Sequence, residues 1–399
     1  MEIEKEVRLG IVGIGNMGSA HAKTVYDGKA EGLRLCAICD VDEKKLSWAA
    51  AELPGVKTYL NYKEMLSSGG LDAVLIATPH KLHPVIVIEA LEAGLHVLSE
   101  KPAGVDIKSV GKLNETANKS DRVFGIMFNQ RTNPLFAHLK NMVETGQLGE
   151  MKRMVWIITN WYRTQSYYDS GTWRATWSGE GGGVLLNQCP HNLDIWQWIM
   201  GMPVSVQASC QYGRYHDIDV EDEAVIYAKY ENGASAVFIT STGEYPGTNR
   251  LELSGTKGKA VIENGILKWY SMEKDERELC YVLEENTCYE PIKYQEIVPE
   301  SEGPGHLGIL RNFTRAILYG EQLLAPGIEG INALTLSNAA YLSDWLGKEI
   351  MLPLDEEEFL KQMKLRQAWE INGKEKKTKE MKHEKQKLGV YSDRWNVRW

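Results

Sequence analysis

The chain has 399 residues, 43% of them hydrophobic and 25% charged, with a formal net charge of -9; that composition supports two packed domains and excludes a disordered or fibrous protein. The negative balance repels phosphate backbones and anionic lipid, so neither nucleic acid nor membrane is expected as a partner, and the one lysine-rich stretch, residues 374–387, is interleaved with glutamate and reads as a solvated linker or exposed helix. The opening Met1-Glu2-Ile3-Glu4-Lys5-Glu6 lacks the order of a secretory signal, no apolar run has membrane-spanning length, and the six scattered cysteines fit reduced thiols, so a cytoplasmic protein is expected.

Taken in chain order, strand patterns at 8–13, 33–40, 73–78, 96–99 and 123–127 alternate with amphipathic helical patterns such as 19–26 and 43–51. Alternation of this kind predicts a parallel sheet covered by helices on both faces, here assigned to residues 1–128. Cys36 and Cys39 fall in the second strand pattern, on opposite faces, and read as core fillers rather than metal ligands. From residue 129 onward strands follow one another without helices, at 151–161, 204–211, 223–230, 234–242, 250–254 and 259–263. Turns such as Glu231-Asn232-Gly233 and Thr256-Lys257-Gly258 punctuate them, which predicts an open, mostly antiparallel sheet. Helical patterns at 306–319, 330–346 and 356–369 complete a second domain over 129–370. The fold class is therefore α/β, a parallel N-terminal sheet followed by an α+β domain. Residues 371–399 form a polar linker and a tail whose Trp395 and Trp399 are expected to dock on this chain or a neighbouring subunit, because two indoles at a free end sit badly in water.

Gly13, Gly15 and Gly18 form a G-x-G-x-x-G motif between the first strand and the first helix. In such a motif the first glycine permits the tight turn, the second lets backbone approach a pyrophosphate, and the third lets helix and strand pack closely, with the helix N-terminus facing the phosphates. A tight turn can need glycine for steric reasons alone, but Asp40 closes the second strand where a carboxylate can bind the adenine ribose hydroxyls, and no arginine follows to welcome a phosphate. The expected cofactor is NAD. Thr78, in the loop after the apolar strand residues 73–76, is a further candidate contact, although Pro79 could mark nothing more than a turn.

Glu100-Lys101-Pro102 follows the strand at 96–99, and Gly181-Gly182-Gly183-Val184-Leu185-Leu186-Asn187-Gln188-Cys189-Pro190-His191-Asn192-Leu193-Asp194 follows in the second domain. With the glycine motif, these segments resemble the glucose-fructose oxidoreductase, inositol dehydrogenase and MocA family over roughly residues 7–350. The resemblance implies a Rossmann domain, a second domain whose open sheet forms subunit contacts, an active site between them, and action on sugars and polyols. A homo-oligomer is expected. It also implies that Lys101 and His191 act on the reacting hydroxyl. Asn16, Met17, His83, Glu100, Lys101 and Asn129 join Gly13, Gly15, Gly18, Asp40 and Thr78 as candidate cofactor contacts. The sequence departs from the family at Asn187, where an aspartate is common, and an amide can neither take a proton nor stabilise an imidazolium by charge.

Oxidising an alcohol requires a base for the hydroxyl proton while hydride leaves carbon. An ammonium on Lys101 would stabilise the developing alkoxide, and Pro102 restricts where that side chain leaves the strand. Pro190 suits the first turn of a helix running to Met200, which puts His191 near the positive helix pole, where a neutral ring able to accept the proton is favoured. Asn187, Asp194, Arg174, Tyr162 and Trp173 are candidate substrate contacts, the aromatic stretch from Trp161 to Trp177 offering flat faces for sugar rings or, equally, ordinary packing. No metal-ligand spacing accompanies them, and no metal is expected. The expected reaction is NAD-dependent oxidation of a ring secondary hydroxyl of a sugar, a glycoside (at C3 of a glucoside, for instance) or a cyclitol. Two other readings are a redox-neutral NAD-dependent glycosidase or lyase that oxidises transiently, and an inactive dinucleotide-sensing regulator.

Overall fold

The computed structural model describes residues 6–171, 173–288, 290–372 and 388–391, the side chains of 371 and 372 excepted. Six strands, β1 (Val7–Val12), β2 (Leu33–Cys39), β3 (Lys57–Tyr59), β4 (Ala73–Ile76), β5 (His96–Ser99) and β6 (Phe124–Ile126), form a parallel sheet in the order β3-β2-β1-β4-β5-β6. The order reverses between β1 and β4, and connections leaving their carboxyl ends in opposite directions open a crevice there. Helices Asn16–Tyr26, Glu43–Glu52, His83–Glu92 and Ile107–Lys119 accompany the sheet. His83–Glu92 carries the run Val85-Ile86-Val87-Ile88, whose β-branched residues hide its helical period. It is a helix because Ile86, Val87, Ala90 and Leu91 bury one face.

The second sheet has nine strands: β7 (Met151–Ile158), β8 (Ser205–Tyr212), β9 (Glu221–Lys229), β10 (Ser235–Ser241), β11 (Asn249–Gly255), β12 (Gly258–Glu263), β13 (Ile266–Ser271), β14 (Lys293–Ile297) and β15 (Ile350–Met351). They lie in the order β14-β13-β12-β11-β7-β10-β9-β8-β15, antiparallel except for the β7–β10 pair. Along β9 buried residues alternate with exposed ones, so one face packs inward and the other is open. Helices Pro190–Met200 and Gly330–Leu346 cover the inner face, and one apolar core runs continuously from Leu9 and Ile11 to Trp156, Trp196, Phe238 and Tyr341.

Two features depart from the expected pattern. Helix Pro134–Glu144, N-capped by the Asn133 side chain, precedes β7 where only strands were expected. Helix Gly305–Tyr319 packs back on β1, and the chain after it pairs with β6, Ile126 N donating to Ala325 O at 3.0 Å. Of the tail, residues 388–391 dock on both domains: Gly389 N donates to Ser19 Oγ of the first at 3.0 Å, and Tyr391 stacks on His306 of the second with ring centres 4.8 Å apart. Trp395 and Trp399 lie outside the described residues. No described helix is long and apolar enough to cross a membrane.

Candidate active site

The β1 turn meets the three demands placed on its glycines. Gly13 has φ +87°, and a Cβ on it would stand 2.6 Å from Ala77 O; a Cβ on Gly18 would stand 1.9 Å from Gly13 O. A Cβ on Gly15 would meet nothing within 4 Å, so the turn leaves open space in front of that backbone. Asp40, at the end of β2, accepts from Ile14 N at 2.8 Å and Asp42 N at 3.0 Å and lies 3.3 Å from Lys45 Nζ. Its carboxylate therefore braces the glycine turn, and Lys45 is a neighbour the sequence reading did not anticipate.

Three acceptors on separate elements are buried without a partner: Asn16 Oδ1 at the start of the first helix, Thr78 Oγ after β4, and Asn129 Oδ1 after β6. Buried polar atoms are normally hydrogen-bonded, so a set of unpartnered ones along the crevice fits a polar ligand. Met17 is half-buried beside them at the helix start. His83 is different. Its Nδ1 and Nε2 each lie 2.7 Å from a backbone carbonyl, of Pro102 and Thr78 respectively; the single N–H of the neutral ring donates to one of the two, and both nitrogens face backbone rather than a cofactor.

Lys101 follows β5 and donates from Nζ to Asn187 O at 3.0 Å, across 86 residues of sequence. Asn187 lies in a single π-helical turn, Val184–Gln188, which leads into helix Pro190–Met200 and so carries His191 within reach of the Lys101 charge. Burial lowers the pKa of Lys101, with Glu100 and Glu180 opposing that shift. His191 lies edge-on to Phe128 with ring centres 6.2 Å apart, and its Nδ1 is buried without a partner. Burial, then the charges of Lys101 and His306, push its pKa far down, so the ring is neutral. Burial raises Glu100, but the hydrogen bond from His21 Nε2 at 2.7 Å, backed by the charges of His306 and Lys101, more than reverses this and holds the carboxyl at about 2.

The substrate candidates separate. Asn187 Nδ2 donates to Tyr167 Oη at 3.3 Å and to the Glu180 carboxylate. Arg174 donates to Tyr167 Oη at 2.9 Å and lies 4.7 Å over the rings of both Tyr167 and Trp173, while Trp173 meets His80 edge-on at 5.8 Å. Asp194 is a correction. Fully buried, it accepts from Arg131 Nε at 2.8 Å and Nη2 at 2.6 Å and from Gln197 at 2.9 Å, so its oxygens are committed inside the protein rather than to substrate. Tyr162 is exposed, its ring packed 5.6 Å from that of exposed Tyr245.

Residues 7–128 match the model for the oxidoreductase family with an NAD-binding Rossmann fold, and residues 136–261 match the GFO/IDH/MocA C-terminal domain. The chain belongs to the GFO/IDH/MocA family of oxidoreductases. Among curated members it is 28% identical to the myo-inositol 2-dehydrogenase of Thermotoga maritima, over 84% of this chain and 95% of that one. It is 26% identical to the NAD(+)-dependent scyllo-inositol 2-dehydrogenase of Bacillus subtilis, over 65% of this chain and 75% of that one. Among solved structures, the WlbA dehydrogenase from Bordetella pertussis, in complex with NADH and UDP-GlcNAcA, superposes with a TM-score of 0.73 at 26% identity, covering 88% of this chain and all of that one. This GFO/IDH/MocA chain is an NAD-binding oxidoreductase, and the open turn at Gly15 and the unpartnered acceptors of Asn16, Thr78 and Asn129 fit that cofactor.

Sequence reasoning missed three residues of the site and named a fourth, Tyr167, only within the aromatic stretch from Trp161 to Trp177. His21 bonds Glu100 and meets His306 edge-on; Tyr167 receives three hydrogen bonds, from Arg174, Asn187 and Gln188; Glu180 holds the Asn187 amide. Of the three missed, Glu180 carried a usable signal, an isolated acid directly before three glycines. His21 and His306 sit in ordinary helical contexts and matter because of what the fold brings against them.

Proposed function

We propose that this enzyme oxidises a secondary ring hydroxyl of a cyclitol, sugar or glycoside to the ketone, with NAD as the acceptor. The observation that carries the reading is a half-buried lysine at the end of β5 whose charge bears on a half-buried imidazole with an unpartnered nitrogen. Inositol dehydrogenases among the relatives, and a neighbour holding NADH with a sugar nucleotide, support the substrate class.

Gly13 to Gly18, Asp40, Thr78 and Asn129 would hold the dinucleotide; when bound, it supplies the acceptor for the hydride leaving the carbinol carbon. Neutral His191 accepts the hydroxyl proton, since burial leaves its ring unprotonated in the resting site. Lys101 as ammonium faces the developing alkoxide and stabilises it in a site where low polarity strengthens the interaction. Arg174 and Trp173, ordered against Tyr167, provide a donor and a flat face for a ring. A second copy would pack on the open face of the nine-stranded sheet, where Val225 and Tyr227 are each 40% exposed.

The test is NADH absorbance with NAD and a panel of myo-inositol, scyllo-inositol, glucose and aryl glucosides, for wild type and Lys101→Ala. Turnover of a panel member is expected, falling by about a hundredfold or more in Lys101→Ala with NAD affinity intact. Release of aglycone without net NADH would establish the redox-neutral glycosidase instead. No turnover with any member, or wild-type turnover in Lys101→Ala, refutes the proposal.

A further inference from the structure

Position 187 carries an amide where a carboxylate is common in the family, yet a carboxylate is present at the site. Glu180, from the segment preceding Gly181, is 1% exposed. Its Oε2 accepts from Ala175 N at 2.7 Å, and its Oε1 accepts from Asn187 Nδ2. Ala175 takes φ +53°, a left-handed conformation costly for a residue with a Cβ, and its N–H is the one that meets Glu180.

The groups facing Glu180 come from every element around it. Arg174, on its own loop, is 3.9 Å away, beyond hydrogen-bond length; Tyr168 faces it from the short helix Gln165–Tyr168, whose Tyr167 shares the Asn187 amide; His80 lies against its carbonyl at 3.3 Å; and Lys101, held by Asn187 O, faces it from the end of β5. A buried carboxylate without a directly bonded cation is compensated by the charges near it, here Arg174 and Lys101. Asn187 connects the two sides, since its side-chain amide holds Glu180 while its backbone carbonyl holds the Lys101 ammonium.

We propose that Glu180 is the displaced carboxylate of this active site, a positioning residue that orients Asn187 and supplies the counter-charge that keeps Lys101 protonated. This rests on the reading of Lys101 as the group acting on the carbinol oxygen. Burial pushes the Glu180 carboxyl up to about 6, so the counter-charge is present above that pH and lost below it.

The test compares wild type, Glu180→Gln and Glu180→Gln/Asn187→Asp, each saturated with NAD. Competitive acetylation with acetic anhydride across pH, read at Lys101 by mass spectrometry, reports coupling without any substrate. Turnover and KM are measured with the panel compound oxidised fastest. In Glu180→Gln, Lys101 labelling below its midpoint pH rises on the order of tenfold, as expected when an opposite charge a few ångströms away is removed. In the same variant kcat falls by about tenfold to a hundredfold with NAD affinity unchanged, and the alkaline limb moves to lower pH. The double variant, which returns the carboxylate to position 187, recovers part of the labelling profile and of kcat. An unchanged Lys101 labelling curve overturns the proposal, as does a loss of kcat that the double variant leaves untouched. Should Glu180→Gln not fold, Glu180→Asp keeps the charge but withdraws it, and must keep the wild-type labelling curve while lowering kcat; wild-type kcat there is equally fatal. If Lys101→Ala retains turnover, the parent reading falls; if it loses turnover while Glu180→Gln changes nothing, only the role of Glu180 falls.

Discussion

Gly15→Ala and Gly18→Ala add the same methyl group three residues apart and should have opposite consequences. At Gly15 the backbone sits at φ -65° and ψ -157°, which alanine adopts without strain, and the new Cβ meets nothing within 4 Å. Apo stability should therefore stay level or rise by about 0.4–1 kcal/mol, since alanine has less conformational freedom to lose on folding. That open space is where a pyrophosphate must approach, with phosphate oxygen about 2.9 Å from a backbone N–H. A methyl group there displaces the phosphate and weakens one charge-assisted hydrogen bond worth roughly 1.5–3 kcal/mol, so Kd for NAD should rise about tenfold to a hundredfold. At Gly18 the Cβ would lie 1.9 Å from Gly13 O, 2.9 Å from Gly13 C and 3.2 Å from Ala77 Cβ. Backbone cannot swing aside as a side chain can, so the helix must lift off the strand, costing about 1–3 kcal/mol or more before any ligand is added. Urea unfolding without NAD and titration calorimetry with it separate the two effects. Wild-type NAD affinity in Gly15→Ala would refute the placement of the pyrophosphate, and equal apo stability of the two variants would refute the packing argument at Gly18.

Asp194→Ala should destabilise the protein by about 2–4 kcal/mol in urea unfolding, because the 1% exposed Arg131 guanidinium loses its fully buried partner and keeps only the half-exposed Glu329 at 2.6 Å; a change confined to substrate KM would return Asp194 to the substrate site. Glu100 gives a pH prediction. Its carboxyl is held at about 2 against an ordinary 4.5, so it contributes stability fully above the higher value and loses it as pH falls through the lower. The contribution is on the order of 3 kcal/mol, and Glu100→Gln should flatten the dependence of the urea midpoint between roughly pH 5 and pH 2. An identical acid limb in variant and wild type would show that the His21–Glu100 pair is not stabilising the fold.

Much of the fold was legible because its signals are local. The glycine turn, the alternating strands and helices of the first domain and the alternating strands of the second each depend on neighbours within a few residues, which a pattern reports directly. Short or atypical elements escaped: β3 has three residues and β15 two, and Pro134–Glu144 was hidden by the expectation of strands. The site was legible where a motif names a backbone need, as at Gly13, Gly15 and Gly18, whereas the roles of Lys101 and His191 stand as proposals that the resemblance suggested. It was misread at Asp194, because position on a helix says nothing about which distant side chain faces it, and Arg131 lies 63 residues away.

The sequence alone determined the parallel nucleotide-binding sheet, the open second sheet and the presence of a lysine, an amide and a histidine in motifs that suit alcohol oxidation. Tertiary structure decided which of those groups meet. Lys101 reaches Asn187 across 86 residues, Glu180 takes up the amide left by a missing aspartate, and His83 and Asp194 are consumed by internal contacts. The physical reason is that hydrogen bonds and charge interactions in a buried site are set by distances of a few ångströms, and those distances exist only after both domains have packed around one core.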